Sequence, residues 1–541
     1  ATNSVTLGGN GQSVTGGTGN DTVDVGTRTI TGTLSGGTGT DTLVLGNGAN
    51  ISGATVSGFE NLTIASGATV TMTAAQLAQF TGTITAAGTE TITVTGDGNF
   101  TTLANVETFS VGDDSTNART ITVAAAGTSV TATSATDAVT FDIGTLTYTG
   151  TLTGAGTNDI VRASGGANLT GGTFTTVTNL AIGTAGTVTI NAAKLGSFST
   201  SIAGSSGSDT LALSGGGTFD FTSGSRTVGG IEGIALASNA AYTITVGDNF
   251  NINGGTLTVT NTSGAAITGA VGIDASRFAG GDALSVGAIG LDGGATLTGG
   301  AGADTLTGGA GNDTITGNGG ADTIVGGGGD DVFVINGSSD IAVGESYDGG
   351  TGNDIIDSGA GDDVIYGGDG NDTVYGGLGR DDIEGGRGND RLFGGEGDDE
   401  LDGGWWYGNI LAGGAGDDFY HVYGSVFEDV GSFVREDPGE GDDTVEYQGD
   451  FFTEDGTELG HVENFTVLAT PIIDIGPWIE FDGNDRNNRI GVNDWANWHI
   501  KGHGGDDVLS GSYGSEASDQ GFRADDRLEG GAGNDRLIGG R

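Results

Sequence analysis

The sequence predicts an all-β protein, with a parallel β-roll or β-solenoid in its second half and strand-rich, solenoid-like duplicated modules in its first. Three observations carry this reading. A nine-residue period runs through the second half, from "GGAGADTLT" at 299 onward. The first half alternates in period two, as in "TITVTG" at 91 and "TLTVTN" at 256, the mark of short strands with one buried face. It also repeats itself: "SGFENLTIASGATVTMTAAQLAQF" (57–80) aligns at a shift of 118 with "TTVTNLAIGTAGTVTINAAKLGSF" (175–198), and the same shift pairs Asp41 with Asp159.

Each copy of the duplication carries one short helical stretch, "AAQLAQF" or "AAKLGSF", and a strand-like refrain recurs at "VETFSV" (106) and "IEGIAL" (231). The first half therefore reads as two modules, 1–145 and 146–290, with stacked β-sandwiches as the alternative to a solenoid. Beyond them the expected order is a roll over 291–420 with a short insertion at 335–348, an excursion over 421–481, and the end of the roll over 482–541.

Composition narrows the function. The 541 residues include 113 glycines, three prolines and no cysteine, and the formal net charge is -53. Such a chain repels nucleic acid and anionic membranes, so its natural partners are cations. The charge is uneven: 18 acidic and 6 basic residues precede Leu291, whereas 52 and 11 follow. Without disulfides, an exported chain needs another source of stability, for which metal is the candidate. No apolar run reaches membrane-spanning length, and the opening "ATNSVTLGGNGQS" lacks the basic start and apolar stretch of a signal peptide. The chain reads as soluble.

The period sets one aspartate in sixth place of every unit. The first array supplies Asp304, Asp313, Asp322 and Asp331; the second supplies Asp354, Asp363, Asp372, Asp381, Asp390 and Asp399; then come Asp418 and, in the last array, Asp507, Asp526 and Asp535. A large apolar residue stands in eighth place. Such a unit divides into a six-residue glycine-rich turn and a three-residue strand whose middle residue points inward, and two units close one coil. Burying that residue contributes about 1.5–3 kcal/mol, whereas ordering nine backbones costs about 1–2 kcal/mol each. Stacking also brings equivalent aspartates about 5 Å apart, where they repel. A divalent cation reverses the last term, and glycine lets carbonyls crowd around it.

The pattern GGxGxDxUx over roughly 290–541 resembles the RTX repeat, the calcium-binding β-helix motif. The resemblance implies Ca²⁺ ions between successive turns, held by the sixth-place aspartates and main-chain carbonyls. End units lack one stacking neighbour, so Asp304, Asp418 and Asp535 are expected to be half-sites. "GGWWYGNIL" at 403 has Gly408 in sixth place, so no ion is expected there. Single units at "GGTGNDTVD" (16), "GGTGTDTLV" (36) and "GSSGSDTLA" (204) make Asp21, Asp41 and Asp209 weaker candidates, each either a ligand or an ordinary turn aspartate.

No catalytic site is expected. HExxH and GxSxG motifs are absent. "HIKGH" offers His499 and His503 at i, i+4, which on a helix could grip zinc, but the segment runs into a nonapeptide turn. Thr-x-Thr pairs such as "TVTMT" at 69 suggest an ice-binding face only if they keep register on adjacent coils; their spacing wanders along the sequence, and no such face is expected. Trp478, Trp495 and Trp498 read as capping the open end of the roll, with a glycan-stacking or subunit-contact surface as the alternative.

The chain thus resembles RTX-type bacterial S-layer proteins: a secreted, cell-surface, calcium-dependent lattice subunit whose partners are further copies of itself and cell-surface polysaccharide. An RTX adhesin for a glycan or receptor, and the non-catalytic part of an RTX enzyme, are the alternatives. Type I secretion with an uncleaved C-terminal signal is implied. The chain stops at "LIGGR", directly after a repeat, and so reads as a fragment or trimmed form.

Overall fold

A computed structural model describes residues 2–86, 89–95, 99–103, 105–112, 118–133, 138–156, 158–252, 255–278, 282–287, 290–334, 345–404, 408–424, 433–435, 441–449, 464–468, 479–483, 486–493, 498–511 and 526–539. It forms two compact units, Ala1–Asn253 with Leu257–Gly264, and Gly254–Thr256 with Ala265–Arg541. In both, neighbouring strands pair in parallel, and the chain winds into a β-solenoid as the alternation and the nonapeptides predict.

In the first unit the inward residues of successive coils stack: Val23 on Leu43 on Leu62, then Val70 on Ile92 on Phe109 on Val130. All are at most 1% exposed. The duplication appears as two short helices, Ala74–Leu77 and Ala192–Ser197. Thr73 and Asn191 cap them at equivalent positions, and Thr73 forms a full capping box with Gln76. The Gln76 amide also donates to the carbonyls of Ile51 (2.7 Å) and Ala54 (2.8 Å), tying the helix to the preceding coil.

The Thr-x-Thr pairs keep register, contrary to the sequence expectation. Thr69 and Thr71 pair with Thr91 and Thr93, these with Thr108 and Ser110, and these with Ser129 and Thr131. Thr153 follows Thr131, and Thr151 and Thr153 pair with Thr173 and Thr175. The variable spacing lies in the connecting loops, which lengthen or shorten without shifting the strands. The result is a hydroxyl ladder two columns wide and six strands long.

In the second unit, alternate nonapeptides fall in alternate sheets. One sheet stacks Ser346–Thr351, Val364–Asp369, Asp382–Arg387 and Glu400–Asp402; the other stacks Ile355–Asp357, Thr373–Leu378, Arg391–Glu396 and Ile410–Ala415. Registers such as Val364↔Asp382 and Thr373↔Arg391 show that one coil is eighteen residues, hence two units. The eighth-place residues Ile356, Ile365, Val374, Ile383, Leu392 and Leu401 form the core between the sheets, all fully buried. Of the excursion, the strands Thr444–Gly449 and Asn464–Leu468 lie within the first sheet, continuing Phe419–Gly424 toward Arg489–Asn493. Trp478 and Trp495, and the side chain of Trp498, lie outside the described residues.

Glycine is required where coils touch. Gly388 has φ +140°, and a Cβ there would run into the carbonyl of Gly370 in the coil before it. Gly388→Ala is expected to lower stability by more than about 1 kcal/mol through strained φ and backbone collision, measured by denaturant unfolding in saturating calcium. Gly9→Ala, at a site open to solvent space, is expected to be near neutral.

Candidate metal centre

The turn between strands brings the fifth and sixth places of each unit into two opposed hydrogen-bond ladders. At the sixth place, the N–H of the earlier coil donates to the carboxylate of the later one: Asp354 to Asp372 Oδ1 (2.8 Å), Asp372 to Asp390 (2.9 Å), Asp363 to Asp381 (3.0 Å) and Asp381 to Asp399 (2.8 Å). At the fifth place the direction reverses. Asn371 N–H donates back to Asn353 Oδ1 (2.9 Å), Asn389 to Asn371 (2.8 Å) and Arg380 to Asp362 (3.0 Å). This is why Asn or Asp so often precedes the sixth-place aspartate, a signal present in "GND" and "GDD" that the sixth-place pattern overshadows.

These bonds occupy only one carboxylate oxygen. In Asp313, Asp331, Asp354, Asp372, Asp381, Asp390, Asp399 and Asp507, Oδ2 is buried and without a hydrogen-bond partner. It faces the first-place glycine of its own unit and the glycine carbonyl of the next coil: a Cβ at Gly367 would lie 2.6 Å from Gly385 O and 2.8 Å from Asp372 Oδ2. Anionic and carbonyl oxygens thus converge in a cradle kept open by glycine. That donor set suits a hard, oxygen-seeking divalent cation. Among the described residues no three His, Cys, Asp or Glu side chains gather round one point, so a cation here would take most of its ligands from the main chain.

Buried anions without a counter-charge are held reluctantly. Desolvation pushes Asp313, Asp354, Asp372, Asp381 and Asp390 up to about 6, and Asp331 and Asp399 up to about 7; N–H donors oppose it, and for Asp331, Asp354, Asp372 and Asp399 neighbouring aspartates add to it. Asp363 also rises to about 7, chiefly by desolvation, and Asp507 is raised for the same reason. Asp322 and Asp418 are buried in the same columns, whereas Asp526 and Asp535 are half-buried at the array's end.

Three sequence expectations change. The array does not stop at Asp418, whose N–H donates to Asp443 Oδ1 (3.1 Å) in the next coil. Asp304 already accepts two amides, Leu284 N–H at Oδ1 (2.6 Å) and Gly300 N–H at Oδ2 (2.7 Å); burial still raises it to about 6. At 403 the extra residue falls before the sixth place, so Asn409 and not Gly408 takes it, accepting Asp390 N–H (2.7 Å). Asn409 is fully buried and carries no charge. Asn488 occupies the same place opposite Asp507 (2.8 Å). His499 lies in the strand Trp498–Lys501, 3.0 Å from Glu529, so no helix aligns it with His503.

The first-half aspartates divide. Asp21 and Asp41 reproduce the ladder, with Asn3 N–H donating to Asp21 Oδ1 (2.7 Å), Asp21 N–H to Asp41 Oδ1 (2.6 Å) and Asp41 N–H to Glu60 Oε2 (2.8 Å). Their Oδ2 atoms are buried and bare. They have the stacking neighbours that their isolation in sequence seemed to deny them. Asp209 instead accepts Gly186 N–H at Oδ1 (3.1 Å) and Ser205 N–H (2.5 Å) and hydroxyl (2.8 Å) at Oδ2. Asp159 is likewise filled by Val139, Ala155 and Gly156 amides.

The repeat family described as RTX calcium-binding nonapeptide repeat (4 copies) matches residues 33–51, 290–333, 348–383, 375–405 and 520–541. The chain carries RTX repeats. RTX nonapeptides bind calcium ions at multiple sites. The match at 33–51 includes Asp41, in agreement with its bare oxygen. No curated protein matches the chain. Among the described residues no helix is long and apolar enough to cross a membrane.

The sign of the pH effect follows from the raised carboxyls. An unfolded aspartate titrates near 3.9, so between about 4 and 7 the folded, cation-free RTX unit binds more protons than the unfolded chain. Cation-free folding is then strongest at the acid end and weakens as pH rises through that window. In chelator, β-sheet circular dichroism of the full chain is expected to grow from pH 7.5 to pH 5, and to become nearly pH-independent in calcium. Calcium added at pH 6 should release protons into a weak buffer, and at pH 8.5 almost none.

Proposed function

We propose that Asp313, Asp331, Asp354, Asp372, Asp381, Asp390, Asp399 and Asp507, together with Asp21 and Asp41, hold calcium with the glycine carbonyls of the adjoining coil. Asp322 and Asp418 serve in the same columns; Asp363, whose cradle holds the Ser358 hydroxyl donating to Gly376 O (2.7 Å), and Asp526 and Asp535 at the array's end bind more weakly. The observation that carries this is the recurrent buried Oδ2 without a partner. An unpaired buried anion costs several kcal/mol, and a divalent ion turns that cost into the driving force for winding the coil. Asp372→Asn keeps the acceptor for Asp354 N–H and removes the charge. It is expected to raise the calcium concentration for half-folding severalfold, whereas Asp209→Asn, at an aspartate already filled by donors, should leave it within about twofold.

On that basis the protein is a secreted, structural cell-surface subunit of the S-layer kind rather than an enzyme. A repetitive solenoid supplies long regular faces, and calcium removes much of the repulsion that a charge of -53 imposes between copies. The test is electron microscopy of purified protein in calcium, in magnesium, and in monovalent salt of matched ionic strength. Ordered sheets or filaments are expected in calcium alone, and monomers in calcium at every concentration would reject the reading.

The hydroxyl ladder of the first unit favours a second activity. Two columns of Thr and Ser at about 4.8 Å between strands, and about 6.7 Å along them, offer water a regular lattice of hydroxyls and methyls close to the oxygen spacing in ice. Ice-crystal shaping by the wild type, lost on Thr93→Lys, is the expected outcome; unrestricted crystal growth rejects it.

A further inference from the structure

The outward residues of the two sheets of the RTX unit differ sharply in charge. One face presents Asp348, Asp369, Asp382, Glu384, Glu400 and Asp402 against a single base, Arg387, which pairs with Asp369 at the turn edge (3.5 Å). The opposite face, over Ile355–Asp357, Thr373–Leu378, Arg391–Glu396 and Ile410–Ala415, presents two acids and one base, Asp357 and Arg391 on the flat of the sheet and Glu396 at the turn edge. Around them stand exposed apolar groups: Ile355 is 47% exposed, Tyr375 43% and, at the turn edge, Leu378 49%. Tyr375 stacks on Phe393 at 5.0 Å and 10°. In a chain of net charge -53, this is a nearly neutral apolar island.

We propose that this nearly neutral face is where a second copy of the chain docks; the proposal rests on the lattice reading above and names its contact. Like-charged copies approach most easily where each carries the least net charge. The island is also self-complementary. Asp357 and Arg391 lie one coil to either side of the strand Thr373–Leu378, in the two adjacent outward columns. A two-fold axis lying diagonally in the contact plane at that strand sets Asp357 of each copy against Arg391 of the other and brings the Tyr375 and Phe393 rings together. That is the isologous contact expected of a closed pair, with aromatic anchors at its centre and charges at its edge. The acidic face would meet another copy only through added cations.

The experiment measures self-association of the full chain in calcium by sedimentation velocity, with electron microscopy in parallel. Tyr375→Glu is compared with Tyr366→Glu, an exposed tyrosine on the acidic face, and circular dichroism checks that both still fold in calcium. Tyr375→Glu is expected to weaken association by about tenfold or more, as for loss of a central contact residue, and Tyr366→Glu to leave it within about twofold. The charge swaps keep the test open should Tyr375→Glu fold poorly. Asp357→Arg and Arg391→Asp should each weaken association, and the double variant should restore it. Wild-type assembly that survives Tyr375→Glu, or a double swap that does not recover, overturns this face while leaving the lattice reading intact. A wild type that stays monomeric in calcium overturns both.

Discussion

Everything in the RTX unit depends on one oxygen atom per nonapeptide. The aspartate must be there because its first oxygen accepts the amide of the coil before it, an amide that no strand bond reaches. Its second oxygen is then buried near a glycine carbonyl of the next coil with no donor to meet it, an arrangement hostile to an anion. Glycine at the first place follows from this, since a side chain would fill the space between those oxygens; where Ser358 stands there instead, its hydroxyl takes that space and donates to Gly376 O (2.7 Å). So does the inward apolar residue at the eighth place, for the short strand left by a six-residue turn has room for one. The period, the composition and the binding of calcium are a single constraint expressed at three levels.

The comparison of Asp41 with Asp209 shows how narrowly that constraint is met. Both are fully buried, and both hold the amide of a neighbouring coil through Oδ1. Ser205 curls its N–H and hydroxyl onto Asp209 Oδ2, so the loop itself neutralises the carboxylate. At Asp41 no donor turns inward and the oxygen stays bare. The second-place residue, Ser205 in one turn and Gly37 in the other, therefore goes with a filled or a bare aspartate in the same motif.

Much of this was legible in the sequence, and what was not has a physical reason. The two-sheet coil could be read because an apolar residue recurs every nine, as in Ile356, Ile365 and Val374, and a unit with a single three-residue strand closes a coil only with a second one opposite it. The helices were legible because a 118-residue shift superposes them. Asn409 was missed since a one-residue insertion moves the sixth place, and counting cannot say on which side of the turn the chain absorbs it. The threonine ladder was missed for a related reason: loops of unequal length disguise strands in perfect register. Asp443 stood in plain view in "GEGDDTVEY", but the surrounding residues do not keep the nonapeptide count.

The alternation of nonapeptides between sheets has a consequence for how such a gene can change. Each unit bonds to the unit two places on, so its neighbours in sequence lie across the core from it. Copying a single nonapeptide would send every later unit to the other side of the coil and exchange the acidic with the nearly neutral surface from that point on. Copying two leaves all downstream sides, ladders and core contacts as they were. The length of the array is thus free to drift under replication errors, but only in even steps, and parity is the inherited quantity.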